Sequence, residues 1–192
     1  MRGPRVPTLQ TARLLLRPWR GEDRAEFAAL NADAEVMAHF PAPLDRRQSD
    51  ALVDYIEATF AASGFGLWAV EVPGGVPFIG FVGLNPVPFE ACFTPAVEVG
   101  WRLARRYWGR GYATEAAKAA VEYGFGEAGL EEIVSFATRE NRRSRAVMER
   151  LGMTHDPADD FDHPNLAADD PFRPHVLYRI PMSCDAGRRR SG

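Results

Sequence analysis

The sequence predicts an α+β domain, a mixed α/β chain built on a twisted, mostly antiparallel sheet with helices on both faces. Three observations carry this. Three strand-like stretches follow one another between positions 65 and 103, and their connectors hold Pro and Gly, which suits hairpins better than crossovers. Helical periodicity flanks them on both sides. No internal repeat and no series of strand–helix–strand units is visible. A chain of 192 residues, 46% hydrophobic and 26% charged, is long enough to bury one ordinary core.

The elements follow in order. Leu14, Leu15, Leu16 and Arg17 form a short apolar strand. A helix over 22–32 places Ala25, Phe27, Ala28 and Leu30 at helical spacing, with acid in its first turn. A second helix over 49–62 puts Leu52, Val53, Ile56 and Phe60 on one face. The period then shortens. Strands are expected over 65–72, 78–84 and 97–103, broken at Pro73-Gly74-Gly75 and by the loop 86–95. A long helix follows over 112–128 and a strand over 132–137. A further helix over 142–151 is closed by Gly152, a glycine suited to the left-handed turn after a helix. A polar Asp- and Pro-rich loop spans 156–174, and the last strand covers 175–180. Residues 1–12 and 182–192 are expected to be flexible or disordered ends around a single domain at 13–181.

Charge limits the partners. The net charge is −3, which argues against nonspecific nucleic-acid binding. Basic residues nevertheless gather at Arg102, Arg105, Arg106 and Arg110, and again at Arg139, Arg142, Arg143 and Arg145. Two local clusters in an acidic chain suit a small anion. Cys92 and Cys184 make no disulfide framework, so a reducing cytoplasm is expected. There is no signal-like apolar segment, and no apolar run approaches the roughly 20 residues of a membrane span.

The informative stretch is ARRYWGRGYATEAA, 104–117. A strand ends, a tight loop follows, and a helix begins at Tyr112. The first turn of a helix offers unpaired N–H groups and partial positive charge, where anions bind. Gly109 and Gly111 remove two side chains and allow positive φ, which aims successive N–H groups at one point. Arg105, Arg106 and Arg110 add charge. Glu115, in the first helical turn, opposes an anion unless it points away. A P-loop needs G-x-x-x-x-G-K-[ST], which is absent, and Thr114 stands where a dinucleotide fingerprint needs its third glycine. A strand-to-helix turn whose glycines serve geometry alone remains the alternative.

The stretch VEVGWRLARRYWGRGYATEAAKAAVEYGF, 97–125, resembles the central motif of the GNAT N-acetyltransferase superfamily, nearest its RimJ/RimL-like ribosomal-protein branch. LLLRPW near the start, NRRSRAVMERLGM at 141–153, FDHPNL at 161–166 and HVLYRI at 175–180 support it in that order. The resemblance implies a sheet splayed between its fourth and fifth strands, with acetyl-CoA in the split. The pantetheine arm would pair with the fourth strand along Val99, Trp101 and Leu103. The diphosphate would sit on 106–114, which brings in Trp108, Tyr112, Ala113 and Thr114 with the glycines and arginines already named. It further implies a bulge at Gly100, Asn141 on the pantetheine arm and Ser144 near the sulfur.

For the chemistry, Glu98 is the candidate base, a glutamate at the strand position that RimL-like relatives use. Ser144 is the candidate proton donor to the thiolate, with helix capping the alternative. Many relatives place a tyrosine acid where this chain has Met148. Deprotonating a lysine amine at pH 7 costs roughly 4–5 kcal/mol and an α-amine about 1, so an α-amine or similarly acidic amine is the easier acceptor. Phe40, Trp68, Phe89 and His163 are candidates for the acceptor pocket, with core packing the default for the rings. The acids and histidines of HDPADDFDHP match no metal-ligand spacing, so no metal is expected. The implied activity is acetyl transfer from acetyl-CoA to a small-molecule or peptide amine in a ternary complex. The competing reading is a non-catalytic acyl-CoA-binding module. Dimers are frequent in the family, and a homodimer stays open.

Overall fold

The computed structural model describes residues 6–182, so the tail expected beyond 182, Cys184 and the first five residues lie outside it. The helices are α1 (Asp23–Ala32), α2 (Arg46–Ser63), α3 (Tyr112–Gly126) and α4 (Arg142–Arg150). The strands are β1 (Leu9–Gln10), β2 (Leu15–Arg17), β3 (Leu67–Val72), β4 (Val76–Pro86), β5 (Val97–Leu103), β6 (Glu132–Thr138), β7 (Thr154–His155), β8 (Phe161–Asp162) and β9 (Pro174–Pro181). They form one mixed sheet in the order β1-β2-β3-β4-β5-β6-β9-β7, with β8 on β9. Every pairing is antiparallel except β5 with β6.

Local chemistry sets the helix ends. Asp45 caps α2: it accepts from Gln48 N at 2.7 Å, while the Gln48 side chain accepts from Asp45 N at 2.9 Å. This reciprocal cap starts α2 ahead of its first apolar contact, so the helix begins earlier than periodicity alone indicates. Arg17, on β2, reaches α1. Its guanidinium grips buried Asp23 through two bonds of 2.7 and 2.8 Å, bonds Glu71 of β3 at 2.7 Å, and donates to the Pro77 carbonyl. The LLLRPW stretch is therefore a clamp between sheet and helix.

The sheet is covered on both faces. Phe81 and Leu84 of β4 point to opposite sides by strand alternation. Phe81 packs against Phe27 of α1, ring centroids 5.8 Å apart, and Leu84 packs under Gly124 of α3. A second apolar cluster, around Phe93, Val134 and Leu177 with Phe89, Phe136 and Phe161, lies over the later strands.

Three expectations need correction. The bulge at Gly100 is absent: β4 and β5 pair without slip from Gly80 opposite Leu103 to Pro86 opposite Val97. The register instead shifts on the other side of β4, between Val70 and Val72. Leu9–Gln10, read as part of a loose leader, pairs with β2. The loop 156–174 is interrupted by a short turn at Pro157–Asp159 and by β8.

The split is present. The parallel pair β5–β6 is registered at one position, Glu98 opposite Val134. Ser135 Oγ adds a 2.9 Å bond to the Val99 carbonyl. Past that point the β5 edge runs without a strand neighbour on the β6 side among the described residues.

Candidate active site

The mouth of α3 has the geometry that its glycines suggested. Gly109 and Gly111 adopt φ of 73° and 77°, the left-handed region that favours glycine. Gly111 is the N-cap and contributes no side-chain bond, so the N–H groups of Tyr112, Ala113 and Thr114 face outward. The Trp108 indole pins the loop by donating to the Leu103 carbonyl at 2.8 Å.

Glu115 does not oppose an anion there. It accepts from Thr11 Oγ1 at 2.6 Å, from Arg13 N at 2.9 Å and from Arg13 Nε at 2.7 Å. Burial pushes its carboxyl up, but the Thr11 and Arg13 bonds outweigh that and hold it below the ordinary range. The carboxylate is occupied by the start of the chain.

A cavity of about 1160 Å³ opens at this mouth. Of the residues expected at a cofactor, Trp101, Leu103, Arg105, Trp108, Gly109, Gly111, Tyr112, Ala113, Thr114, Asn141 and Ser144 line it. Val99, Arg106 and Arg110 do not. Val99 is fully buried in the core. Arg106 stacks over Tyr107, 5.0 Å from the ring centre, and pairs with Glu26 at 3.7 Å. Arg110 lies over the same ring at 5.8 Å. Arg105 lines the cavity but is paired with Glu35.

Further positive charge comes from Arg102, Lys118, Arg142, Arg143 and Arg150. Arg142 and Arg143 belong to the second basic cluster noted above. Lys118 and Arg150 were missed. Lys118 follows Thr114 by four residues on one helix, a spacing that places both on one side and could have revealed it. Arg143 rests over the Trp108 ring at 4.6 Å, joining α4 to the loop.

α4 resolves one ambiguity. Asn141 is its N-cap and accepts from Ser144 N at 3.1 Å. Ser144 is therefore in the first turn, not the cap, and it faces the cavity. Met148 is buried at 1% exposure and packs in the core.

Glu98 stands beside the split but does not line the cavity. It is half-buried and has no hydrogen-bonding or ionic partner among the described residues, and desolvation pushes its carboxyl up to about 8. A Cβ on Gly100 would lie 3.7 Å from Glu98 Oε1, so the glycine leaves the space beside the carboxyl open.

The proposed acceptor residues separate. Phe40 lines the cavity, with Arg102 4.4 Å from its ring centre. Trp68 does not: it is core, donating to the Pro7 carbonyl at 2.8 Å and packed between Phe60 and Tyr123. Phe89 and His163 also lie off the cavity, with ring centroids 4.6 Å apart in a cluster with Phe136, Phe161 and His175. That cluster shares the face of Glu98, because Val134 and Phe136 alternate onto one side of β6 and Val134 is registered with Glu98. Burial and the neighbouring His175 lower the pKa of His163, which favours a neutral ring. No group of three or more His, Cys, Asp or Glu suited to a metal occurs among the described residues.

Comparison with known proteins agrees with this geometry. The acetyltransferase (GNAT) domain family matches residues 13–154. An Aspergillus fumigatus protein, FsC-acetyl coenzyme A-N(2)-transacetylase, is 36% identical over 156 residues, which cover 78% of this chain and 66% of the fungal protein. The crystal structure of an acetyltransferase from Agrobacterium tumefaciens superposes with a TM-score of 0.74 at 30% identity, over 92% of this chain and 95% of that one. Mycobacterium smegmatis RimJ, solved with a CoA-disulfide, shares the fold at TM-score 0.72 and 21% identity, over 97% of this chain and 91% of its own. The chain belongs to the GNAT acetyltransferase family, enzymes that move the acetyl group of acetyl-CoA to an amine.

Proposed function

We propose that this chain acetylates an α-amine, or an amine of similar acidity, by direct attack in a ternary complex, with Glu98 as the base. The observation that carries this is the single-pair seam between β5 and β6: beyond it β5 runs on to line the cavity at the α3 mouth through Trp101 and Leu103, and an unpartnered, desolvated carboxyl stands beside it. The cavity suits CoA. The uncapped N–H groups of Tyr112, Ala113 and Thr114 match a diphosphate, and the free β5 edge matches an amide-bearing arm. When bound, acetyl-CoA supplies an activated thioester carbonyl and a thiol leaving group.

The remaining steps fall to the chain's own residues. Glu98 takes the proton from the acceptor ammonium, directly or through one water. Its pKa of about 8 lies next to the ~7.7–8.0 of an α-amine, so the transfer is nearly level. A lysine amine at ~10.4 would face a gap of roughly 3 kcal/mol. This supports a RimJ/RimL-like preference for peptide N-termini or small α-amines. The fungal relative is itself named for transfer at N(2). Ser144 lines the cavity and donates a hydrogen bond to the departing thiolate, which leaves as such or takes its proton from water. Placement in the cytoplasm belongs to the same proposal, supported by the small number of cysteines; no helix among the described residues is long and apolar enough to cross a membrane.

Thiol release from acetyl-CoA, followed over a panel of amines and N-terminal peptides, tests the proposal. Release with α-amines above lysine side-chain amines is expected. Tight CoA binding with no release for any acceptor would favour the non-catalytic module. Two variants sharpen the test. Gly111→Val forces a branched side chain into φ 77°, with its Cβ 3.4 Å from Arg13 Nη2, strains the turn that aims the N–H groups, and should raise the CoA Kd about tenfold or more by calorimetry. Ser144→Ala should lower kcat by about tenfold or less, because a thiolate leaves readily. Its stability should stay within about 0.5 kcal/mol, since Ser144 is not the cap.

A further inference from the structure

Arg102 is a guanidinium without a counter-charge. It points from β5 toward the end of α1, where Nη1 donates to Asn31 Oδ1 at 2.7 Å. Phe40 lies over it at 4.4 Å and Phe81 at 5.5 Å. It forms no ion pair with any described residue. Nε is sealed from solvent and makes no hydrogen bond, and Nη2 has no protein acceptor either. The two carboxylates in the lining of the same cavity are already held, Glu35 by Arg105 and Glu115 by Arg13. Burial alone lowers the Arg102 pKa to about 10, which marks a cation that the fold desolvates and leaves uncompensated. By contrast, the buried Arg17 has two carboxylates.

The position of Arg102 indicates what would compensate it. Glu98, Gly100 and Arg102 alternate onto one face of β5. The base is at one end and the guanidinium at the other, with Cα atoms roughly 13 Å apart along the strand. Gly100 between them leaves the floor open. Nη1 is taken, so the free donors, Nε and Nη2, form one edge of the guanidinium. That edge matches the two oxygens of a carboxylate. Phe40, 39% exposed, lies over the face of the guanidinium at 4.4 Å and lines the same cavity.

We infer that Arg102 recognises a carboxylate on the acceptor, so that the substrate is an amine carrying an acidic group. This rests on the acetyltransferase reading above and adds the class of acceptor to it. A cationic polyamine is disfavoured by the same guanidinium.

The test uses the full chain saturated with CoA. Calorimetry measures binding of ω-amino acids from glycine to 6-aminohexanoate, each against its own amide. At least one acid should bind about tenfold or more tighter than its amide. Arg102→Gln should erase that gap and leave the CoA Kd within about twofold. Arg102→Lys, which keeps the charge but loses the two-donor edge, should narrow it. If Arg102 were only structural, the Gln variant would melt lower; removal of an uncompensated cation should leave the ligand-free Tm unchanged or higher. Equal binding of every acid and amide by the parent protein overturns the inference, as does a gap that survives in Arg102→Gln. Parallel loss of CoA affinity in that variant would make Arg102 a cofactor contact and overturn it too. Failure of the parent protein to bind CoA would instead remove the acetyltransferase reading itself.

Discussion

Glu98→Gln is expected to lower kcat/KM by about 10²–10³-fold while CoA affinity stays within about twofold. The amide keeps the shape of the side chain and loses only the capacity to take a proton. A rate equal to the parent's at neutral pH would show that another group, or water alone, receives it. The pH profile gives a second readout. A carboxyl with a pKa of about 8 is largely protonated at pH 7. The parent rate should therefore rise about tenfold between pH 7 and pH 9 through this group. The acceptor's own ionisation adds a rise that the Gln variant retains, so the difference between the two profiles belongs to Glu98.

Stability should move the opposite way. The folded pKa lies above the unfolded one. The native state therefore holds a proton, between the ordinary carboxylate range and about pH 8, that the unfolded chain has released. The stability this gives is fully present at low pH and is lost as pH rises through that window. The Gln variant lacks the slope, so its Tm should gain on the parent's between pH 5 and pH 9. A parallel pair of Tm curves would place the carboxyl in water.

Asp23→Ala is expected to cost about 3 kcal/mol, because it strands half of a buried guanidinium. Both side chains of the Arg17–Asp23 pair are nearly inaccessible, at 3% and 1%. Asp23 also accepts from Arg20 N at 2.7 Å, so the substitution loses the entry to α1 as well as the pair. Glu71 still bonds Arg17, which keeps the loss from being larger. For a domain of this size the Tm should fall by roughly 6–12 °C in thermal unfolding. A drop of a degree or two would mean that water or Glu71 takes over the contact.

Elements with strong local patterns were legible. The hairpin strands, the helix behind Gly111 and the caps at Asn141 and Gly152 all follow from periodicity or a specific residue. The two-residue strands β1, β7 and β8 were not, because so short a segment has no period and its pairing is purely tertiary. The charge of the α3 mouth was half legible. Arg105 and Arg106 looked free, but their partners Glu35 and Glu26 come from the first helical region, about 70 to 80 residues earlier. Gly100 was singled out for the wrong reason: it makes no bulge, and its missing side chain leaves room beside Glu98. Trp68 follows the default for its type, the core, and Phe89 packs in the later-strand cluster off the cavity, since aromatic identity does not distinguish core from pocket.

The lone backbone pairing of Glu98 with Val134 has one more consequence. Two parts of the sheet meet along a joint held by a single registered pair, and on the proposed reading the amides of a bound pantetheine arm would be its mortar. Occupancy and rigidity would then be one variable: coenzyme entry would grout the joint and departure of the spent thiol would loosen it.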